Sequence, residues 1–167
     1  ISVQDFSFKP IADIDQKTES KNKILFLLIE NHYLAKGINE RAFFKNILAS
    51  GIKGHIIPGD KVFVGTFDWY RGNKYVFLQN AVPSDNENSI ISIVNSITEP
   101  RSLQNVQQGS DIYFALDDAI NFLSKLKDTL PKNILLFSDD FPNIAGQKTV
   151  DEVRNSSLKS DIPIYAI

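Results

Sequence analysis

The run Ile24-Leu25-Phe26-Leu27-Leu28-Ile29 is apolar at every position and is bounded by Lys23 and Glu30. A strand covered on both faces has this appearance, so a central parallel strand is expected here. Before it, Val3, Phe6 and Phe8 alternate loosely and a polar stretch follows, which predicts a short strand and linker over 1–22. After it, Phe43, Phe44, Ile47 and Leu48 recur at helical spacing, and Gly51 is expected to stop a helix over about 39–50. Pro58-Gly59-Asp60 makes a turn into a strand over 61–68, where Val62, Val64 and Thr66 alternate with Phe63, Gly65 and Phe67. Arg71-Gly72-Asn73 then leads to a strand over 75–81, close enough for an antiparallel hairpin.

Ile90, Ile91, Val94 and Ile97 mark a second helix that ends before Pro100. The clearest apolar stripe is Ile112, Ala115, Leu116, Ala119, Ile120, Leu123 and Leu126, with Ser110 placed as N-cap and Asp111 favourable to the helix dipole. Residues 133–139 read as another buried strand. Thr149 and Glu152 have the form of a capping box for a helix to about Lys159, and 162–167 reads as a last strand. Strands alternating with helices predict a three-layer α/β/α sandwich with a mostly parallel central sheet and an antiparallel edge strand. Ligands on such sheets gather at the carboxyl ends of the strands, which directs attention to Glu30, Ser110 and Asp139.

Composition narrows the classes. At 167 residues, 43% hydrophobic and 23% charged, the chain is expected to form one soluble globular domain over 23–167. A net charge of −2 and a pI near 5.7 supply no positive field for nucleic acid. The longest apolar run falls far short of the roughly 20 residues that span a bilayer, so no membrane insertion is expected. Without cysteine there is no disulfide framework, thiolate nucleophile or zinc ribbon. The missing start methionine and the apolar ending read as a piece of a longer chain, cut short at its C-terminal end.

Five stretches, in order, resemble the von Willebrand factor A (vWA) family. Ile24 to Glu30 is similar to its first strand, and Ile57-Pro58-Gly59-Asp60-Lys61-Val62 to its turn into the second. Gln108-Gly109-Ser110-Asp111-Ile112 resembles the Gly-Gly-Thr opening of its long central helix. Ile134 to Asn143, containing Ser138-Asp139-Asp140-Phe141-Pro142-Asn143, resembles its fourth strand and Thr-Asp-Gly-x-Pro-Asn loop, and 162–167 its fifth strand. The resemblance covers nearly everything from residue 23 onward and implies a vWA-like, Rossmann-like fold.

It also implies a metal-ion-dependent adhesion site (MIDAS) at the carboxyl edge, carried in the family by Asp-x-Ser-x-Ser, a Thr and an Asp. Here the first segment is Glu30-Asn31-His32-Tyr33-Leu34, the Thr position is Ser110 and the last Asp is Asp139, with Asp140 in place of Gly. Mg²⁺ requires near-octahedral oxygen ligands at about 2.0–2.1 Å. Glu30 reaches one methylene further than Asp, Leu34 offers no oxygen, and His32 supplies a nitrogen better suited to a transition metal. The resemblance therefore implies a degenerate MIDAS, with no cofactor expected. The alternative keeps Mg²⁺ or another divalent cation on Glu30, Ser110 and Asp139, helped by the carboxylates of Asp111 and Asp140.

For a protein partner, the candidate contacts are His32, Tyr33, Asp111, Asp140 and Phe141 on the rim loops. Trp69 and Tyr70 beside Arg71 join them, an aromatic pair with the makeup of an interface hot spot. Packing of Trp69 on the sheet edge is the other reading of that residue. A non-catalytic binding or adhesion module is the expected function, with a scaffold domain of a larger surface protein as an alternative. Catalysis is not expected: no Gly-x-Ser-x-Gly elbow, phosphate loop or His-Glu-x-x-His pair is present. The paired acids follow the fourth strand and not the first, the wrong order for a phospho-acceptor receiver. An extracellular or periplasmic location is favoured over the cytoplasm. Asn155-Ser156-Ser157 forms a sequon that matters in a host that glycosylates secreted proteins.

Overall fold

The computed structural model describes residues 22–31, 38–71, 74–98, 112–138 and 148–166. Five strands form one sheet: β1 (Ile24–Glu30), β2 (Lys61–Arg71), β3 (Lys74–Leu78), β4 (Lys132–Phe137) and β5 (Ile164–Ala166), in the order β3-β2-β1-β4-β5. β1 pairs in parallel with β2 and β4, β4 pairs in parallel with β5, and β3 runs antiparallel to β2 at the edge. The apolar run of β1 thus occupies the centre of the sheet, as its lack of any polar face requires. The expected strand at the N-terminus lies outside the described residues.

Helices cover both faces. On one side α3 (Ile112–Lys125) and α4 (Val150–Ser160) meet Phe26, Leu28, Phe63, Phe67, Ile134 and Leu136. On the other, α1 (Ile38–Ile52) and α2 (Glu87–Ser96) meet Leu27, Ile29, Val62, Val64 and Phe137. Successive strand residues therefore enter different halves of the core. Phe122 of α3 packs edge-on against Phe26 and Phe63, with ring centroids 5.5 and 5.0 Å away.

Several element ends differ from the sequence expectation, each for a local reason. Gly51 does not stop α1; the helix continues to Ile52, which is 3% exposed in the core, and the chain reverses at Gly54 with φ +79°. The turn at Pro58-Gly59 forms, with Gly59 at φ +92°. Asp60 behind it is 3% exposed and accepts hydrogen bonds from Lys23 N (3.1 Å), Lys23 Nζ (3.0 Å) and Ile57 N (3.1 Å). These bonds tie the entries of β1 and β2 together.

β3 stops at Leu78 and not at Ala81. The Asn80 side chain replaces the backbone ladder there, accepting from Val64 N (2.7 Å) and donating to Val62 O (3.0 Å). α2 starts at Glu87 behind an Asn86 cap that accepts from Ser89 N at 2.9 Å. β5 begins at Ile164 because Ile162 N still donates to Ser157 O to close α4, and Pro163 has no N–H to give.

Candidate functional site

β1, β2, β4 and β5 run in parallel, so their carboxyl ends share one rim of the sheet. Glu30 is the last residue of β1 and is only 1% exposed. It shares the strand parity of Phe26 and Leu28, which places it on the α3 side. Ile29 stands opposite Phe137 in the register, so the next residue along each strand brings Glu30 beside Ser138. The Ser138 hydroxyl donates a short hydrogen bond to Glu30 Oε2. Burying a carboxylate is costly unless donors meet it, and this bond supplies one at the end of a central strand.

Asn31 follows at 8% exposure, and its N–H donates to Phe67 O at 2.6 Å. This bond continues the β1–β2 ladder past Glu30. The Asn31 Oδ1 is buried and accepts no hydrogen bond among the described residues. β2 runs beyond Phe67, the partner of Glu30, as far as Arg71. The backbone of Trp69 and Tyr70 therefore stands at this same end of the sheet, within the strand that leads to the hairpin tip.

On the flank of α3, Lys148 Nζ lies 2.5 Å from Asp117 Oδ2 and 5.9 Å from the centroid of Phe114. This contact fixes the chain just before the Thr149 cap of α4.

Of the residues expected at the site, the structure describes Glu30 in full and the backbone of Trp69 and Tyr70. His32, Tyr33, Ser110, Asp111, Asp139, Asp140 and Phe141 lie outside the described residues, as do the side chains of Trp69 and Tyr70. Expected as part of the strand, Ser138 instead leaves the ladder after Phe137 and turns its hydroxyl to Glu30. Neither Ser138 nor Asn31 was singled out from sequence. The available signal was a hydroxyl next to Asp139, but using it requires knowing that β4 lies beside β1.

Glu30, Ser138 and Asn31 bring oxygen atoms, the donor type that suits a hard cation. The Glu30 Oε2 is nevertheless engaged by Ser138, and the family's two serine places hold His32 and Leu34. Among the described residues, no three His, Cys, Asp or Glu side chains come together as a metal-holding group. Of the candidate metal ligands Glu30, Ser110 and Asp139, the described residues contain Glu30.

This sheet order, its antiparallel edge and the helices on both faces define a vWA-like α/β fold. The fold is similar to proximal thread matrix protein 1 (PTMP1) from the mussel byssus, with TM-score 0.62 and 16% identity over 87% of this chain and 35% of that one. A second PTMP1 structure, with a zinc-occupied MIDAS motif, gives TM-score 0.63 at 16% identity and the same coverage. The SpRpn10 VWA domain matches with TM-score 0.59 and 11% identity, over 87% of this chain and 74% of that one. The chain thus spans about a third of the PTMP1 chains it resembles. No family model matches the sequence, and no curated protein does. No helix among the described residues is long and apolar enough to cross a membrane.

Proposed function

We propose that this chain is a non-catalytic protein-binding module of the vWA type that meets its partner with the carboxyl rim of the sheet and needs little or no metal. The observation that carries this reading is the Ser138 to Glu30 hydrogen bond. A side-chain contact between β1 and β4 holds the centre of the rim, where the family places a metal bridge. Partner contacts then fall to the segments flanking it: His32 and Tyr33 after β1, Asp111 before α3, and Asp140 and Phe141 after β4. Trp69 and Tyr70 at the end of β2 extend the same rim. An extracellular location belongs to this reading, supported by the likeness to a byssus protein.

The second reading keeps a divalent cation at Glu30, Ser110 and Asp139, and the zinc-occupied MIDAS of PTMP1 favours it. Isothermal titration with Mg²⁺, Mn²⁺ and Zn²⁺, set beside capture of partners from the source with and without EDTA, separates the two. The first reading expects no saturable binding and EDTA-resistant capture that is weakened by Tyr33→Ala and Phe141→Ala. Saturable binding lost in Asp139→Ala, with capture abolished by EDTA, would establish the second and overturn the first.

A further inference from the structure

The Asn155-Ser156-Ser157 triplet is the one Asn-x-Ser/Thr sequence in the chain and has no part in the rim. It lies in α4, whose buried residue is Val153 at 4% exposure. Two positions further on, roughly 200° around the helix, Asn155 is exposed on the outer side. One turn beyond it, Leu158 is 70% exposed, a large apolar side chain standing in water. Residues three apart on a helix are surface neighbours, so the Asn155 amide and the Leu158 side chain share one patch.

We propose that Asn155 is an acceptor for an N-linked glycan whose first sugars cover Leu158. The inference rests on the extracellular location proposed above. A sequon needs its third-position hydroxyl, which Ser157 supplies. In the folded chain that hydroxyl donates to Ile162 O at 2.7 Å, so transfer takes place before α4 closes. The co-reactant is a lipid-linked oligosaccharyl pyrophosphate. Asn155 Nδ2 forms a bond to the anomeric carbon and loses one proton, while the bond from that carbon to the pyrophosphate oxygen breaks and the lipid pyrophosphate leaves. The folded surface accepts the product, since the outer side of α4 carries only exposed neighbours such as Asp151, Arg154 and Lys159.

The test is secretion of the chain from mammalian cells behind a cleavable signal peptide. Wild type and Ser157→Thr are expected to carry one glycan, which peptide N-glycosidase removes to leave an aspartate at 155; Asn155→Gln and Ser157→Ala are expected to be unmodified. Removal of the glycan should raise binding of a hydrophobic dye in wild type, and raise it less in Leu158→Ser. Translation with microsomes reads the acceptor before folding, so a variant that fails to be secreted still gives an answer. Wild type and Ser157→Thr both translocated without a glycan would overturn the acceptor and leave the extracellular location standing. An equal rise in dye binding in Leu158→Ser would overturn the covering of Leu158. Fractionation of the source tests the location separately, and a cytosolic native protein would overturn both.

Discussion

A Cβ built on Gly65 falls 2.6 Å from Phe26 Cε1, 2.7 Å from Phe26 Cζ and 2.9 Å from Val76 Cγ1. The Phe26 ring is held in place by Phe63 and Phe122, so it has no free direction in which to retreat. Gly65→Ala should therefore destabilise the fold by about 1–3 kcal/mol through overpacking, read as a lower urea midpoint with an unchanged slope. The alternation of β2 was legible in the sequence, but the reason for glycine at 65 was not. It comes from a ring on the neighbouring strand, and no local pattern records which strand is the neighbour. The Ser138 to Glu30 contact is hidden in the same way, because the two residues are distant in sequence and meet through the β1–β4 pairing.

The start of α4 is a boundary set by its own side chains and legible in them. α4 begins where Thr149 accepts from Glu152 N at 3.3 Å and Glu152 Oε2 accepts from Thr149 N at 2.7 Å, the reciprocal pair its sequence announces. Its other end was not announced, since Asp161 takes the left-handed conformation at φ 52° where glycine is usual. Thr149→Ala should cost about 0.5–2 kcal/mol and lower the melting temperature accordingly. The cap also carries a pH dependence. The Thr149 N–H, and then its hydroxyl, hold the Glu152 carboxyl below the ordinary carboxylate range. Its contribution is complete above the ordinary value of about 4.3 and is lost as pH falls through the lowered folded value. Wild type should exceed Glu152→Gln in stability at neutral pH, and the difference should shrink toward pH 3 in paired urea titrations. α1 shows the opposite case: Gly51 looks like a stop, but burial of Ile52 outweighs the roughly 1 kcal/mol that glycine costs inside a helix.

On the function proposed above, the two ends of the sheet do different work in the whole molecule. At the amino end, Asp60 joins the entries of β1 and β2, and Lys132 Nζ donates to Leu126 O at 3.0 Å to join α3 to β4. Lys61 pairs with Asp128 there, and this hydrogen bond, with one from Leu130 N, holds the Asp128 carboxyl below its usual range. That pair is at the surface, so salt screens it and it adds little. Asp60 is different, because its side chain is fully buried and its loss leaves Ile57 N and Lys23 N without their acceptor. At the carboxyl end, Ser138 donates to Glu30 and Asn31 N donates to Phe67 O at 2.6 Å. A fold can be read from periodicity, but contacts between distant strand ends have none, which is why the strands and helices were legible and the meeting of Ser138 with Glu30 was not. Stability and binding should then separate along the strand direction. Asp60→Ala should lower stability by about 1–3 kcal/mol for the orphaned donors and leave the affinity for a captured partner unchanged. On the function proposed above, Ser138→Ala should weaken that affinity, because it releases the contact with Glu30 at the proposed partner face. Urea unfolding and surface plasmon resonance on both variants measure the separation. Equal losses of affinity in the two would mean that the rim has no special part in binding and that the partner reads the fold as a whole.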